Sequence, residues 1–210
     1  SGLIISGGLG FMVWQDLMNY HKTKKLSLHS KLALTVSLSL LVVGTIVFYI
    51  SESGGRFIVD DSQPLSRFAN MFFMSVTAST AGYFSVDNGN VSQGWIIFTI
   101  VLMYIGGSPG STAGGLKTTT FGVLLVRTIS MLKGREHAEV FRRTVRPSVV
   151  SKALTLFFIT LSLCIAVTMV MSITEILPRF RGIEYVLFET FSAFGTVGLT
   201  MGLTPTLSVV

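Results

Sequence analysis

Residues 72–85 read FFMSVTASTAGYFS, and residues 188–201 read FETFSAFGTVGLTM. The two stretches align without a gap. Each is a short apolar run closed by Thr-x-Gly and one aromatic or aliphatic residue: Thr80-Ala81-Gly82-Tyr83, then Thr196-Val197-Gly198-Leu199. Self-similarity at this spacing marks a repeated supersecondary unit. The apolar runs, about 64–78 and about 183–194, are too short to cross a hydrocarbon core, which takes roughly 20 helical residues. Lengths of that order belong to re-entrant, interfacial or core helices.

Composition says what these short helices are embedded in. Of the 210 residues half are hydrophobic and 12% are charged, with a mean hydropathy of +0.67. A soluble domain carries about a quarter charged residues, so this chain has too few to cover a water-facing surface and reads as a membrane protein. Its one cysteine, Cys164, lies within an apolar run and reads as a small buried hydrophobe, which excludes a disulfide framework and a cysteine metal site. The net charge of +6 does not imply nucleic acid, because the charges sit in loops between apolar spans, where they set topology. The start at Ser1-Gly2-Leu3 and the apolar run opening at Leu207 lead us to expect an internal piece of a longer transporter or channel.

Three stretches have the length and apolarity of spans: about 31–50, about 93–131 with a glycine-rich interruption, and about 149–173. Residues 3–20 read as the end of another. His21, Lys22, Lys24, Lys25, His29 and Lys31 follow that first segment with no acid among them. A second basic group is Arg127, Lys133, Arg135, Arg142, Arg143, Arg146 and Lys152, against Glu136 and Glu139. The remaining segments are mixed: Glu52, Arg56, Asp60, Asp61 and Arg67, then Glu175, Arg179, Arg181 and Glu184. The positive-inside rule places the basic segments in the cytoplasm and both short apolar helices on the outer side. Trp14 and Trp95, near span ends, fit an aromatic belt.

The repeating unit is therefore span, short re-entrant helix, Thr-x-Gly loop, span. Non-helical backbone at membrane depth is tolerated only when it is buried in protein or lines a wet cavity. A loop returning from a short helix can aim backbone carbonyls at an axis, where they replace the hydration shell of K+ as TVGYG loops do in potassium channels. Glycine suits such a loop because successive carbonyls aimed one way need backbone angles closed to most residues. Pro64 suits the first turn of the earlier short helix. The alternative is a pair of ordinary helix-capping turns with glycine as the C-cap. Glu189, inside the second short helix, reads as structural through the helix dipole, with attraction of cations as its alternative.

The interruption in the long span reads GGSPGSTAGGLKTTT over 106–120. It is close to a phosphate-binding G-x-x-x-x-G-K-[ST] loop, but Leu116 intrudes between Gly115 and Lys117. The preceding segment is a membrane run, and no acid occurs between Asp87 and Glu136 to hold magnesium. An ATP-dependent membrane enzyme using 110–118 is thus a disfavoured alternative. A second alternative is a helix-packing face, since Gly106, Gly110 and Gly114 stand four apart; Pro109 argues against an unbroken helix. Lys117 is an ionisable residue inside a span, which marks a pathway or a paired buried site.

STAGYF at 79–84, GGSPGSTAGGLKTTT at 106–120 and FSAFGTVGLTMGLTP at 191–205 resemble the membrane, pore-forming subunit of the Ktr potassium uptake system in the Trk/Ktr/HKT superfamily. The resemblance extends over essentially the whole chain, and the prolyl form GGSPGSTAGG is closer to Ktr than to Trk. It implies an all-α membrane protein of repeated helix–pore loop–helix units, multi-pass in the cell membrane, with no covalent cofactor and no enzymatic activity. Residues 1–30 would close a second repeat and enter the cytoplasm. Residues 31–131 would be the third repeat, with filter 79–84 and intramembrane loop 106–117. Residues 132–148 would be a basic cytoplasmic linker, and 149–210 an incomplete fourth repeat with filter 195–199.

The same resemblance assigns roles. Backbone carbonyls of Thr80, Ala81, Gly82 and Tyr83, and of Thr196, Val197, Gly198 and Leu199, would hold K+. Gly106, Gly107, Ser108, Pro109, Gly110, Ser111, Thr112, Ala113, Gly114, Gly115 and Lys117 would form a loop beneath the filter that obstructs the pore. Lys117 would oppose a cation or bind a local carbonyl. Implied partners are membrane lipid, a second copy of the chain in a homodimer, and a cytoplasmic ring of RCK-type nucleotide-binding regulatory subunits; transport would be stimulated by Na+. The basic segment, about 132–147, is the expected contact for that ring, with a lipid-headgroup face as its alternative. A Trk-type transporter with different coupling, and a carrier with a closed central site between broken helices, remain open at this stage.

Overall fold

The computed structural model describes residues 1–53, 64–83, 91–141, 143–174 and 182–202. Phe84, Arg142, the mixed-charge residues Arg56, Asp60, Asp61, Glu175, Arg179 and Arg181, and the run at Leu207 lie outside the described residues. The chain is helical, in the order α1 Gly2–Gly8, α2 Phe11–Thr23, α3 Leu28–Ser53, α4 Pro64–Thr80, α5 Gln93–Tyr104, α6 Thr118–Leu132, α7 Pro147–Thr174 and α8 Ile183–Phe194. A two-residue antiparallel pair, β1 Glu139–Val140 and β2 Arg143–Thr144, joins α6 to α7.

Local chemistry sets these boundaries. Pro64 and Pro147 open α4 and α7, where a missing N–H leaves no helical bond unmade. Ser92 caps α5 by accepting from the Trp95 N–H at 3.2 Å. The helix then stops at Tyr104, ahead of Gly106, Gly107 and Pro109, and α6 resumes only at Thr118. Of the helices described, α3 and α7 are long and apolar enough to cross a membrane; α5 and α6 are shorter apolar helices. The segment over 3–20 differs from the continuous span end expected: it breaks at Leu9 and Gly10 between α1 and α2. The break is fixed by partners distant in sequence, described below.

Packing forms two cores. The larger gathers Phe48 of α3, Met71 and Met74 of α4, Trp95, Leu102 and Met103 of α5, Cys164 of α7 and Phe188 and Phe191 of α8. The smaller joins Leu32 and Val36 of α3 to Val123 of α6 and Val150 and Ala153 of α7. Tyr104, at the end of α5, ties α7 and α8 together. Its hydroxyl donates to the Phe157 carbonyl at 2.9 Å, and its ring stacks on Phe194 with centroids 5.8 Å apart. The outer face of α7 stays open, with Phe158, Ile159, Met169 and Ile173 exposed. That face suits lipid, since large apolar patches are rare on proteins surrounded by water.

Helices α3 and α4 approach closely at Gly44, where an added Cβ would collide with Ser75 Oγ; that hydroxyl donates to the Leu41 carbonyl at 3.0 Å. Gly44→Ala should therefore cost about 1–3 kcal/mol through overpacking, read as a lower Tm of the protein in detergent. Adding Ser75→Ala should recover most of the loss. A double variant no more stable than Gly44→Ala would show that this contact does not set the helix separation.

Candidate functional site

The two Thr-x-Gly loops meet. Helix α4 ends at Thr80, Ala81 N–H donates to the Thr77 carbonyl at 3.1 Å, and Gly82 turns the chain with φ +63. The buried Thr77 hydroxyl accepts the Tyr83 N–H at 2.9 Å and donates to the Tyr83 carbonyl at 3.0 Å. Helix α8 ends at Phe194, and Val197 N–H donates to the Ser192 carbonyl at 2.9 Å. Gly198 follows with φ +86, and the Ser192 hydroxyl donates to the Leu199 carbonyl at 2.6 Å. A Cβ added at Gly82 would collide with the Val197 carbonyl oxygen, whereas one added at Gly198 would meet nothing within 4 Å. Gly82 thus serves a close backbone approach, and Gly198 serves only its left-handed angle.

Thr196 also has a positive φ, +53, unusual for a β-branched residue and costly unless its surroundings hold it. The surroundings include Thr196 N–H donating to the Ala193 carbonyl at 3.1 Å and Thr196 Oγ1 accepting from Gly114 N–H at 2.9 Å. Glu189 lies in the middle of α8 rather than in the first turn, where the acid is Glu184. Its buried carboxylate accepts the Met201 N–H at 3.0 Å and the Thr200 hydroxyl. The dipole argument for Glu189 is therefore replaced by a direct one: it fastens the segment after Gly198 to the helix before it.

The glycine-rich segment is a closed loop set against the second of these. Leu116 N–H donates to the Tyr104 carbonyl and Gly106 N–H to the Leu116 carbonyl, both at 2.9 Å, which pinches the loop shut at Ile105 and Leu116. One side leans on α8: Gly115 N–H donates to the Phe194 carbonyl at 3.3 Å, and a Cβ at Gly114 would lie 2.7 Å from Thr196 Oγ1. The other side fills the break between α1 and α2. Ser108 N–H donates to the Gly8 carbonyl at 3.0 Å, and Phe11 N–H donates to the Gly110 carbonyl at 3.2 Å. Buried Ser108 also shares a hydroxyl contact of 3.2 Å with Thr118. The Lys117 ammonium, half-buried, donates to the Ala113 carbonyl of its own loop at 2.6 Å. A phosphate cradle would leave that ammonium facing outward; here it is turned in on the loop.

The structure thus brings Ala81–Tyr83, Val197–Leu199 and the 106–117 loop into one contiguous group, with Val197 against Gly82 and Thr196 against Gly114. Sequence reasoning missed Thr77 and Ser192 as anchors for the Tyr83 and Leu199 carbonyls, and the α1–α2 break as the far support of the loop. The hydroxyl positions carried a weak signal, since each lies six or seven residues before the carbonyl it binds.

Comparison with known proteins bears on this group. The chain is 57% identical over its full length to the potassium/sodium uptake protein NtpJ of Enterococcus hirae, of which it covers 46%. It is 39% identical over 98% of its length to the Ktr system potassium uptake protein B of Bacillus subtilis, covering 45% of it. The chain spans about half the length of the curated relatives it matches. In fold it is similar to the crystal structure of the potassium transporter TrkH from Vibrio parahaemolyticus, with a TM-score of 0.62 and 16% identity over 97% of this chain and 50% of that one. These relatives are transporters, not enzymes. The family described as TrkH, cation transport protein, matches residues 3–210, and the chain belongs to it.

Proposed function

We propose that the chain supplies two of the repeats of a potassium-translocating pore in the cell membrane, with Thr80–Tyr83 and Thr196–Leu199 as filter segments. The observation that carries this reading is the direct apposition of Gly82 and Val197 at the ends of two short helices that do not span. Two glycine-turned loops held from behind by Thr77, Ser192 and Glu189 keep their backbones in place while ions exchange. Such preorganised carbonyl groups replace water around a desolvated cation without reorganising. The Tyr83 and Leu199 carbonyls accept hydroxyls from their own helices, and each carbonyl oxygen retains a second lone pair for an ion.

The 106–117 loop is the gate in this reading. It lies between the filter loop at Thr196 and the α1–α2 break, and its small residues allow displacement at low steric cost. The whole protein would work as a homodimer of pores, take up K+ with Na+ stimulation, and be regulated from the cytoplasm by a nucleotide-binding ring. The names of the relatives, a potassium/sodium uptake protein and a Ktr system potassium uptake protein B, support the uptake of K+; the homodimer, the Na+ stimulation and the ring rest on the resemblance to Ktr. A carrier is the second reading, favoured by one observation: the breaks in two helical segments touch at Gly10 and Pro109, as in transporters with discontinuous helices. Unitary conductance in planar bilayers separates the two, because a carrier gives none.

Gly82→Ser should weaken K+ over Na+ selectivity most, since it meets both a collision and a left-handed φ. Gly198→Ser should come next, with strain of order 1–3 kcal/mol and open space for its side chain. Ala81→Val should change selectivity least. Competition uptake of the two ions gives the ranking, and equal selectivity in all three variants would remove these loops from the filter.

Deleting Ser108–Thr112 should raise K+ flux, because the anchor to Gly8 and the bulk of the loop go while the filter contacts are untouched. Lys117→Ala should act in the same direction more weakly, through loss of its bond to Ala113. A phosphate cradle predicts the opposite sign for the deletion. Uptake by transport-deficient cells, normalised to membrane abundance, is the measurement; a well-expressed deletion that transports less than the parent ends the gate reading.

A further inference from the structure

Between the starts of α3 and α7, the first turns of α6 and the β1–β2 hairpin lies a cavity of about 670 Å³. Its floor is apolar, formed by Leu32, Val123, Val145 and Ala153. Its rim carries the exposed cations Arg143, Arg146 and Lys152, and no carboxylate lines it among the described residues. The ion pair of this region, Arg135 with Glu139 at 3.0 Å, involves neither wall nor rim. A second observation is independent of charge. His29 lines the cavity, and its Nε2 is buried with no hydrogen-bond partner among the described residues. Leaving such a nitrogen unmatched costs about 1–3 kcal/mol, and in the tautomer that carries the proton on Nε2 it offers a donor to a bound anion.

Location narrows that group. The two helices long enough to cross a membrane, α3 and α7, begin at Leu28 and Pro147 beside this cavity. The cavity therefore lies at the boundary between water and hydrocarbon, on the side where basic segments collect. A soluble phosphate or nucleotide would satisfy the cations and leave the apolar floor uncovered. A neutral lipid would cover the floor and leave the cations unmatched. A molecule with both an anionic phosphate and an acyl chain matches all of it, as basic pockets between cytoplasmic helix ends do for acidic lipids.

We propose that this cavity is a binding site for an anionic phospholipid. Its phosphate would accept from Arg143, Arg146 and His29 Nε2, and an acyl chain would lie over Leu32, Val123 and Leu156. This proposal rests on the membrane placement of α3 and α7 and not on the filter or gate roles. It takes Arg143 and Arg146 of the basic linker for lipid rather than for a regulatory protein.

The test is native mass spectrometry of the full-length protein in detergent, with phosphatidylglycerol and phosphatidylcholine added at matched concentrations. The parent should retain phosphatidylglycerol in preference. Each of Arg143→Gln and Arg146→Gln should weaken that retention about fivefold, from about 1 kcal/mol per interfacial cation. His29→Phe keeps the bulk, loses the nitrogen, and should also weaken it. Leu156→Trp fills the chain-binding side and should reduce retention with every charge in place. The rise in Tm on adding phosphatidylglycerol, large in the parent and small in these variants, reads the same site by a second route, and Lys152→Gln replaces any variant that fails to fold. Four results overturn the proposal: no preference for phosphatidylglycerol in the parent; variants that retain it unchanged; displacement by inorganic phosphate, which makes the site one for free anions; or variants that keep the lipid and lose a co-purifying regulatory subunit, which makes it a protein contact.

Discussion

Backbone N–H and C=O groups that leave a helix inside a membrane find no water to replace their partners. This chain leaves the helix at Leu9–Gly10, at Ala81–Tyr83, at Ile105–Lys117 and after Phe194. Those interruptions largely answer one another. The Gly8 carbonyl takes the Ser108 N–H, the Gly110 carbonyl takes the Phe11 N–H, and the Phe194 carbonyl takes the Gly115 N–H. Side-chain oxygens supply more: Thr77 serves Tyr83, Thr196 serves Gly114, and Glu189 serves Met201. Irregular segments distant in sequence are thereby forced to be adjacent in space, and their adjacency creates the candidate site.

The two Thr-x-Gly loops meet the same constraint with different side chains. In the first, Thr77 both accepts from and donates to Tyr83. In the second the work is divided, Ser192 holding the Leu199 carbonyl and Glu189 holding the residues that follow. Thr77 aligns with Ala193, and Ser192 aligns with Val76, so the hydroxyl has moved by one position between the repeats. What the repeat preserves is the glycine turn and a carbonyl bound from behind.

Much of the fold was legible in the residues, and the reasons are physical. Low charge and high hydropathy exclude a water-covered surface. Pro64 and Pro147 mark helix starts, and the density of glycine around Pro109 marks a break that no helix tolerates. The break at Leu9–Gly10 was not legible, because a glycine in an apolar run is compatible with a continuous membrane helix; its cause is Pro109 and Gly110, about a hundred residues away. Thr77 and Ser192 were hidden for a related reason. Hydroxyls near helix ends commonly bond back to their own turn, as Thr190 does to the Val186 carbonyl, and only the path of the returning strand separates the two cases. Lys117 was left with two roles by its position in a span, and of these the bond to a local carbonyl is present, to Ala113.

The fastening of the 106–117 loop on both sides has an energetic consequence. To swing clear as a unit it would release the Ser108–Gly8, Phe11–Gly110, Gly114–Thr196 and Gly115–Phe194 hydrogen bonds. At about 0.5–1.5 kcal/mol net for each, the displaced arrangement lies roughly 2–6 kcal/mol above the closed one. Unaided, it would be populated between about one molecule in thirty and about one in twenty-five thousand. In the proposed gating role, a difference of that size is small enough for a bound partner to reverse and large enough to keep leakage low without one. The hydrogen bonds that make irregular structure permissible in the membrane would then also set the resting threshold of the proposed pore.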